Sequence, residues 1–187
     1  SVAMATNDHY AGDTRGNGDY DRDVFGVGRA SDSSQLAANG AAGLSFFDYY
    51  GSLGNDEWLF AGHKSATNSL IPVTGEGRIT WRMERVWYVD KTATDGIDAI
   101  FGFDLSDAGL AFDTATGLTL FYSATNAYWF EDMGLTPYTV GDQVYFIVPN
   151  AQLLDGYYAL GIVPEPGTLT LLALGILGLR ARVRRRK

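Results

Sequence analysis

The densest group of potential ligand side chains lies near the N-terminus, between residues 13 and 23. Four oxygen-bearing side chains alternate along this segment: Asn17, Asp19, Asp21 and Asp23. Hard cations are bound by oxygen donors at this spacing, although an EF-hand loop would need Gly and Glu where Arg22 and Gly28 stand. The pattern therefore makes these four residues candidate calcium ligands. The competing interpretation is a polar, flexible, solvated lead over residues 6–22, and no other cofactor is expected.

Catalytic motifs are scarce along the chain. It has no Cys and two His, and it lacks the G-x-S-x-G, H-E-x-x-H and P-loop patterns. A glycosidase needs only two carboxylates, which Asp48, Asp56 or Glu57 could supply, but the sequence does not pair them. His63 ends an apolar run and is expected to be a strand-end residue held by a hydrogen bond. A non-enzymatic protein is expected.

Aromatic residues are abundant, with 11 Tyr, 10 Phe and 4 Trp. Several stand side by side: Tyr49 and Tyr50, Trp87 and Tyr88, Tyr128 and Trp129, and Tyr157 and Tyr158. Neighbours in a strand point to opposite faces, so each pair should offer one ring to the core and one outward. Outward rings could stack on sugars or form a protein interface. The alternative is cross-strand pairing within a half-buried sheet.

Short apolar runs separated by Gly, Asp and Asn predict the elements that position these rings. The nine runs are 23–29, 44–50, 57–63, 78–91, 97–105, 118–123, 127–130, 143–148 and 156–161. They favour an all-β fold, a single antiparallel β-sandwich of about eight or nine strands, immunoglobulin-like or jelly-roll-like. Arg85 interrupts the apolar face of its run, which predicts a bulge or a buried ion pair. Only residues 31–40 have helical character.

The order of four of these runs resembles a family of bacterial surface-protein modules of unassigned function. The matching segments are 23–29, 57–63, 83–89 and 155–161. The resemblance implies a β-sandwich domain over residues 23–162 and supplies no reaction.

The last 25 residues, 163–187, differ in composition from the rest. The triplet Pro164, Glu165 and Pro166 precedes an unbroken apolar run, 167–179, and a basic end, 180–187, that contains Arg180, Arg182, Arg184, Arg185 and Arg186. As a helix the apolar run would span roughly 20 Å, short of the ~30 Å hydrocarbon core of a bilayer. A short membrane helix with its basic end in the cytoplasm is expected.

This tail resembles the PEP-CTERM sorting signal of Gram-negative bacteria. The resemblance implies export across the inner membrane, a transient membrane anchor, and removal of the tail by an exosortase near the triplet. It also implies association with an exopolysaccharide-producing cell surface. At the other end, residues 3–5 (Ala-Met-Ala) look like the cleavage site of a secretory signal peptide, so residues 1–5 are expected to be its end.

The formal charge of −8 combines two unlike parts. Residues 1–162 carry 8 basic and 21 acidic side chains, a charge of −13, and residues 163–187 carry +5. The acidic body argues against a nucleic-acid partner. We expect an exported matrix or surface protein of a biofilm that associates with exopolysaccharide and with copies of itself, in a manner dependent on salt or divalent ions. The alternatives are a carbohydrate-binding module for exopolysaccharide and, second, a polysaccharide hydrolase.

Overall fold

The computed structural model describes residues 10–12, 18–49, 51, 53–64, 69–72, 81–92, 96–107 and 117–162. These residues form fourteen β-strands and no helix, which confirms the all-β prediction with more and shorter strands than expected. The strands are β1 (Arg22–Arg29), β2 (Gln35–Ala38), β3 (Gly40–Ala41), β4 (Leu44–Asp48), β5 (Glu57–His63), β6 (Leu70–Pro72), β7 (Trp81–Met83), β8 (Trp87–Lys91), β9 (Ala99–Asp104), β10 (Leu118–Ser123), β11 (Glu131–Asp132), β12 (Tyr138–Val140), β13 (Gln143–Val148) and β14 (Gly156–Ile162).

The strands form two antiparallel sheets. The nine-stranded sheet has the order β11-β10-β14-β8-β5-β1-β2, with β7 also pairing with β14 and β6 with β7. The five-stranded sheet has the order β12-β13-β9-β4-β3. Their inner faces share one hydrophobic core, whose largest side chains include Trp87, Phe101, Phe103, Phe146 and Tyr158. The two sheets therefore form a sandwich.

Strand β13 shows why these sequences form a two-faced sheet. Val144, Phe146 and Val148 are fully buried, whereas Ile147 between them is 47% exposed. This alternation places every second side chain in the core, and the antiparallel register with β9 aligns Phe146 with Phe101.

Three local predictions differ from the structure. Residues 31–40, expected to have helical character, form a turn and strand β2, because the Asp32 side chain accepts hydrogen bonds from the Ser34 N–H (2.9 Å) and hydroxyl (2.6 Å). Residues 127–130 form a loop instead of a strand. The long run at 78–91 is divided, since β7 ends at Met83 and β8 begins at Trp87.

Arg85 lies in that interruption. Its guanidinium is buried and donates a hydrogen bond to the Ala42 carbonyl, and Asp23 and Asp107 are its electrostatic partners. Burial lowers the pKa of Arg85, and the two carboxylates oppose that shift. At Arg85 the structure therefore has a break between two strands, where the sequence predicted a bulge or a buried ion pair.

A second hydrophobic core covers the outer face of the nine-stranded sheet. It consists of Tyr10, Tyr20, Val86, Tyr88, Phe121, Phe130, Tyr157 and Ala159. We call residues 10–12 and 18–21 the N-terminal strap, because Tyr10 and Tyr20 pack across this face and the Tyr20 N–H donates to the Gly12 carbonyl at 3.1 Å. The described part of the predicted flexible lead is thus packed on the sheet, since its two Tyr rings have an apolar surface to bury.

The predicted membrane helix at 167–179 and the rest of the tail lie outside the described residues. In the part of the chain that the structure describes, no helix is long and apolar enough to cross a membrane.

Candidate functional site

The aromatic pairs do not alternate between core and solvent as the sequence predicted. Trp87 and Tyr88 are both buried, and so are Tyr157 and Tyr158, since their sheet is covered on both faces. Tyr49 is half-buried, and Tyr50 lies outside the described residues. In β8 and β14 each pair points one ring to each face, Trp87 and Tyr158 into the main core and Tyr88 and Tyr157 into the second core, but neither pair offers a ring to solvent.

Tyr128 and Trp129 form the only fully described pair that is open to solvent. Tyr128 is 78% exposed and Trp129 is 60% exposed. They lie in the loop of residues 124–130 between β10 and β11, which we call the aromatic loop. In a loop, neighbouring side chains need not point to opposite sides, so both rings can face solvent.

Asn126 holds the backbone of the aromatic loop. Its side-chain oxygen accepts hydrogen bonds from the N–H groups of Tyr128 (2.8 Å) and Trp129 (3.0 Å). The Asn side chain thereby takes the place of a strand partner and turns the chain locally. The two exposed rings are consequently displayed from a hydrogen-bonded turn.

A buried residue pair anchors the loop to the nine-stranded sheet. Phe130 is 1% exposed, and the Arg82 guanidinium lies 5.0 Å from the centre of its ring. Arg82 also donates to the carbonyl oxygens of Ala127 (3.1 Å) and Glu84 (3.3 Å). A cation over an aromatic face and charged hydrogen bonds to backbone oxygens both stabilise the loop.

The electrostatics of this region follow from burial. Desolvation lowers the pKa of Arg82, while Tyr20 and Glu84 oppose the shift. Burial raises the pKa of Tyr20 to about 12, and electrostatic interactions with Tyr157 and Tyr128 add to it. The phenol of Tyr20 is therefore neutral at ordinary pH. Tyr20 and Phe130 belong to the same buried cluster, so the aromatic loop lies beside the N-terminal strap.

The predicted calcium ligands are not brought together in the described part of the site. Asp19 and Asp21 are exposed, and Asn17 lies outside the described residues. The Asp23 carboxylate contacts His63 Nε2 at 2.8 Å. No group of three or more potential metal ligands among His, Asp and Glu forms within the described residues, and calcium binding stays a prediction.

The candidate catalytic carboxylates have local structural contacts. Asp48 accepts a hydrogen bond from the Leu53 N–H (3.3 Å), and the buried Glu57 accepts one from the Gly54 N–H (2.6 Å). Asp56 is exposed. His63 is 2% exposed and lies at the end of β5, where Asp23 binds it, as expected of a strand-end residue.

Sequence reasoning missed the residues that support the exposed rings. Asn126, Arg82 and Phe130 build the aromatic loop, but only Asn126 carries a local signal, because an Asn two residues before a potential turn favours this geometry. Arg82 lies more than forty positions away, and no sequence pattern connects it to the loop.

Comparison with protein families matches residues 163–186 to the PEP-CTERM protein-sorting motif. Searches of curated proteins and of solved structures returned no match. The resemblance of the body to surface-protein modules therefore stays a prediction. The match confirms the predicted sorting motif: the chain carries a PEP-CTERM sorting motif, which marks an exported protein processed at the membrane by an exosortase.

Proposed function

We propose that the body of this exported protein is a non-catalytic component of the extracellular matrix of a Gram-negative cell. In this proposal it adheres to exopolysaccharide through the aromatic loop. The observation that carries the proposal is the exposure of Tyr128 and Trp129 on a loop held by Asn126, Arg82 and Phe130.

A loop held in this way suits binding for an energetic reason. Rings that are already positioned lose little conformational freedom on binding, so more of the contact energy appears as affinity. Each ring also combines an apolar face with one polar group, a phenol or an indole N–H. Such rings can stack on the C–H face of a sugar and hydrogen-bond to its hydroxyl groups.

Affinity electrophoresis of the full chain, solubilised in a mild non-ionic detergent, tests this proposal. The gels contain dextran or hydroxyethylcellulose as neutral glycans, or alginate as an anionic glycan. We expect a neutral glycan to retard the wild type and Tyr128→Ala/Trp129→Ala to weaken this binding about tenfold. The control is Tyr138→Ala, because Tyr138 is 69% exposed on the other sheet. Unchanged mobility of the wild type in every gel would contradict the proposal.

A second candidate function, self-association, is favoured by the outer face of the five-stranded sheet. Phe47, Tyr138 and Ile147 are 38%, 69% and 47% exposed there. Tyr138 pairs with Tyr145, and the ring centres of Tyr145 and Phe47 are 6.3 Å apart. An apolar surface of this kind is typical of protein contacts, and the charge of −13 on residues 1–162 would make association depend on salt.

A further inference from the structure

A groove lies on the outer face of the nine-stranded sheet, beside the N-terminal strap. Its volume is about 400 Å³, and it lies over strands β1, β2 and β5. The lining residues are Val24, Phe25, Gly26, Ala37, Ala38, Trp58 and Phe60. None of them carries a charge.

Two aromatic rings form the floor of this groove. The rings of Trp58 and Phe60 are nearly parallel, at 10°, with their centres 5.7 Å apart. The residues of β1 that face these rings are glycines. A Cβ added at Gly28 would be 2.0 Å from the Trp58 ring, and one added at Gly26 would be 2.5 Å from the Phe60 ring. The two glycines therefore leave room for the parallel rings to lie close over β1, and we call this pair of rings the platform.

We propose that this groove is a second glycan-binding site, which takes a short stretch of a neutral polysaccharide. The inference rests on the proposed function, and it names the class of glycan and a site distinct from the aromatic loop. Flat aromatic platforms stack on the apolar faces of sugar rings, and the volume falls in the range of small-molecule sites, roughly 300–1,000 Å³.

The charges of the groove and of the body favour a neutral glycan over an anionic one. Among the described residues that line the groove, none has a cationic side chain to bind a carboxylate or sulfate group, and residues 1–162 carry a charge of −13. An anionic polymer would be repelled by this body, whereas a neutral one would not. Among the described strands, β2 lies at the edge of its sheet, where backbone groups can hydrogen-bond to sugar hydroxyls.

The groove and the aromatic loop lie on the same face of the sheet. Phe130 and Arg82 attach the loop near β10 and β14, and the groove begins at β5. Strand β10 is three positions from β5 in the sheet order, a separation of about 15 Å at ~4.8 Å per strand. A single long glycan chain can therefore contact both sites, and bivalent contact raises its affinity above that of a short oligosaccharide.

The test uses the full chain in the same electrophoresis, with dextran, hydroxyethylcellulose and alginate as probes. Trp58→Ala removes half of the platform. Ala38→Leu fills the groove from an exposed edge strand, where Ala38 lies opposite Gly26, so it leaves the core intact. Trp81→Ala is the matched control, because Trp81 is 45% exposed and does not line the groove.

We expect Trp58→Ala and Ala38→Leu each to weaken binding of the neutral glycan about tenfold, with Trp81→Ala and the binding of alginate unaffected. If the neutral glycan retarded both groove variants as strongly as the wild type, the groove site would be overturned, and the proposal for the aromatic loop would be unaffected. If alginate retarded the wild type but neither groove variant, the claim that the groove binds a neutral glycan would be overturned. A change in particle size without a change in glycan binding would show a protein contact instead. No retention of the wild type by any glycan would overturn both proposals.

Discussion

The outer face of the nine-stranded sheet is covered by other segments, whereas the outer face of the five-stranded sheet is exposed. On the nine-stranded sheet, eight buried residues form a second core, to which the N-terminal strap and the aromatic loop contribute rings. On the five-stranded sheet, Phe47, Tyr138 and Ile147 remain exposed, and no described segment covers them. Both faces carry outward aromatic residues, so what separates them is the presence of a covering segment.

Gly62 shows how the covered face accommodates the strap. A Cβ at this position would lie 2.3 Å from the Tyr20 carbonyl oxygen and 2.6 Å from the Tyr10 hydroxyl. The Tyr10 hydroxyl donates to the Tyr20 carbonyl at 2.6 Å, and the Ala11 N–H donates to Asp90 at 2.6 Å. The absent side chain and these hydrogen bonds let the strap lie directly on the sheet.

The largest expected effect comes from removing a ring of the strap that packs on the sheet. Tyr20 is 6% exposed and packs against Tyr88 and Tyr157, with ring centres 6.2 and 5.4 Å away. Tyr20→Ala should lower the free energy of unfolding by about 3 kcal/mol, because it leaves a cavity in the second core. Urea denaturation followed by circular dichroism measures this loss.

Tyr138→Ala, on the open face, is the comparison for Tyr20→Ala. Tyr138 is 69% exposed, so its removal should change the free energy of unfolding by no more than about 0.5 kcal/mol. Equal losses in the two variants would show that the strap does not stabilise the folded body.

A smaller effect is expected at alkaline pH, and it reports on the same covered face. Burial raises the pKa of Tyr20 and of Tyr88 to about 12, against about 10 in the unfolded chain. Between these two pKa values the folded state binds more protons than the unfolded state. The contribution of the two phenols to the free energy of unfolding is therefore fully present below pH ~10 and is lost as the pH rises toward 12. The melting temperature should therefore decrease across this window.

Tyr20→Phe/Tyr88→Phe tests the cause of this decrease. Without the two phenol groups, the fall in melting temperature between pH ~10 and ~12 should be smaller than in the wild type. A fall of the same size would assign the alkaline sensitivity to other groups.

The smallest effect on stability is expected on the open face, where association is the informative readout. Ile147→Lys should change the free energy of unfolding by no more than about 0.5 kcal/mol, since Ile147 is 47% exposed. If copies associate through this face, the buried charge should abolish any rise in mass with concentration, measured by sedimentation. Leu154→Lys is the control at equal exposure, 47%. A wild type that stays monomeric at every concentration would contradict self-association.

Much of the fold could be predicted from local pattern. The predicted runs 57–63, 118–123 and 143–148 have the same bounds as β5, β10 and β13. These runs are apolar or alternating and end at polar or turn-forming residues, so their local preference agrees with their place in the sandwich. The prediction failed at 127–130, where Asn126 binds the backbone N–H groups that a strand would have used.

The candidate site was less accessible to sequence reasoning. The pair Tyr128 and Trp129 was identified, but nothing in the sequence distinguished it from the buried pair Tyr157 and Tyr158. Trp58 and Phe60 are two positions apart, so a search for adjacent aromatics does not find them. Their platform depends on Gly28 and Gly26 of a neighbouring strand, which lie 30 and 34 positions away from Trp58 and Phe60 in the sequence.

By itself, the sequence determined the all-β class, the acidic charge of the body and the sorting motif at residues 163–186. These properties depend on composition, on alternation within a strand and on the order of residues in one short segment. Only the tertiary structure decided which aromatic rings are open to solvent. Exposure depends on which distant segment covers a face, and the strap covers Tyr88 and Tyr157 while Tyr128 and Trp129 extend beyond it.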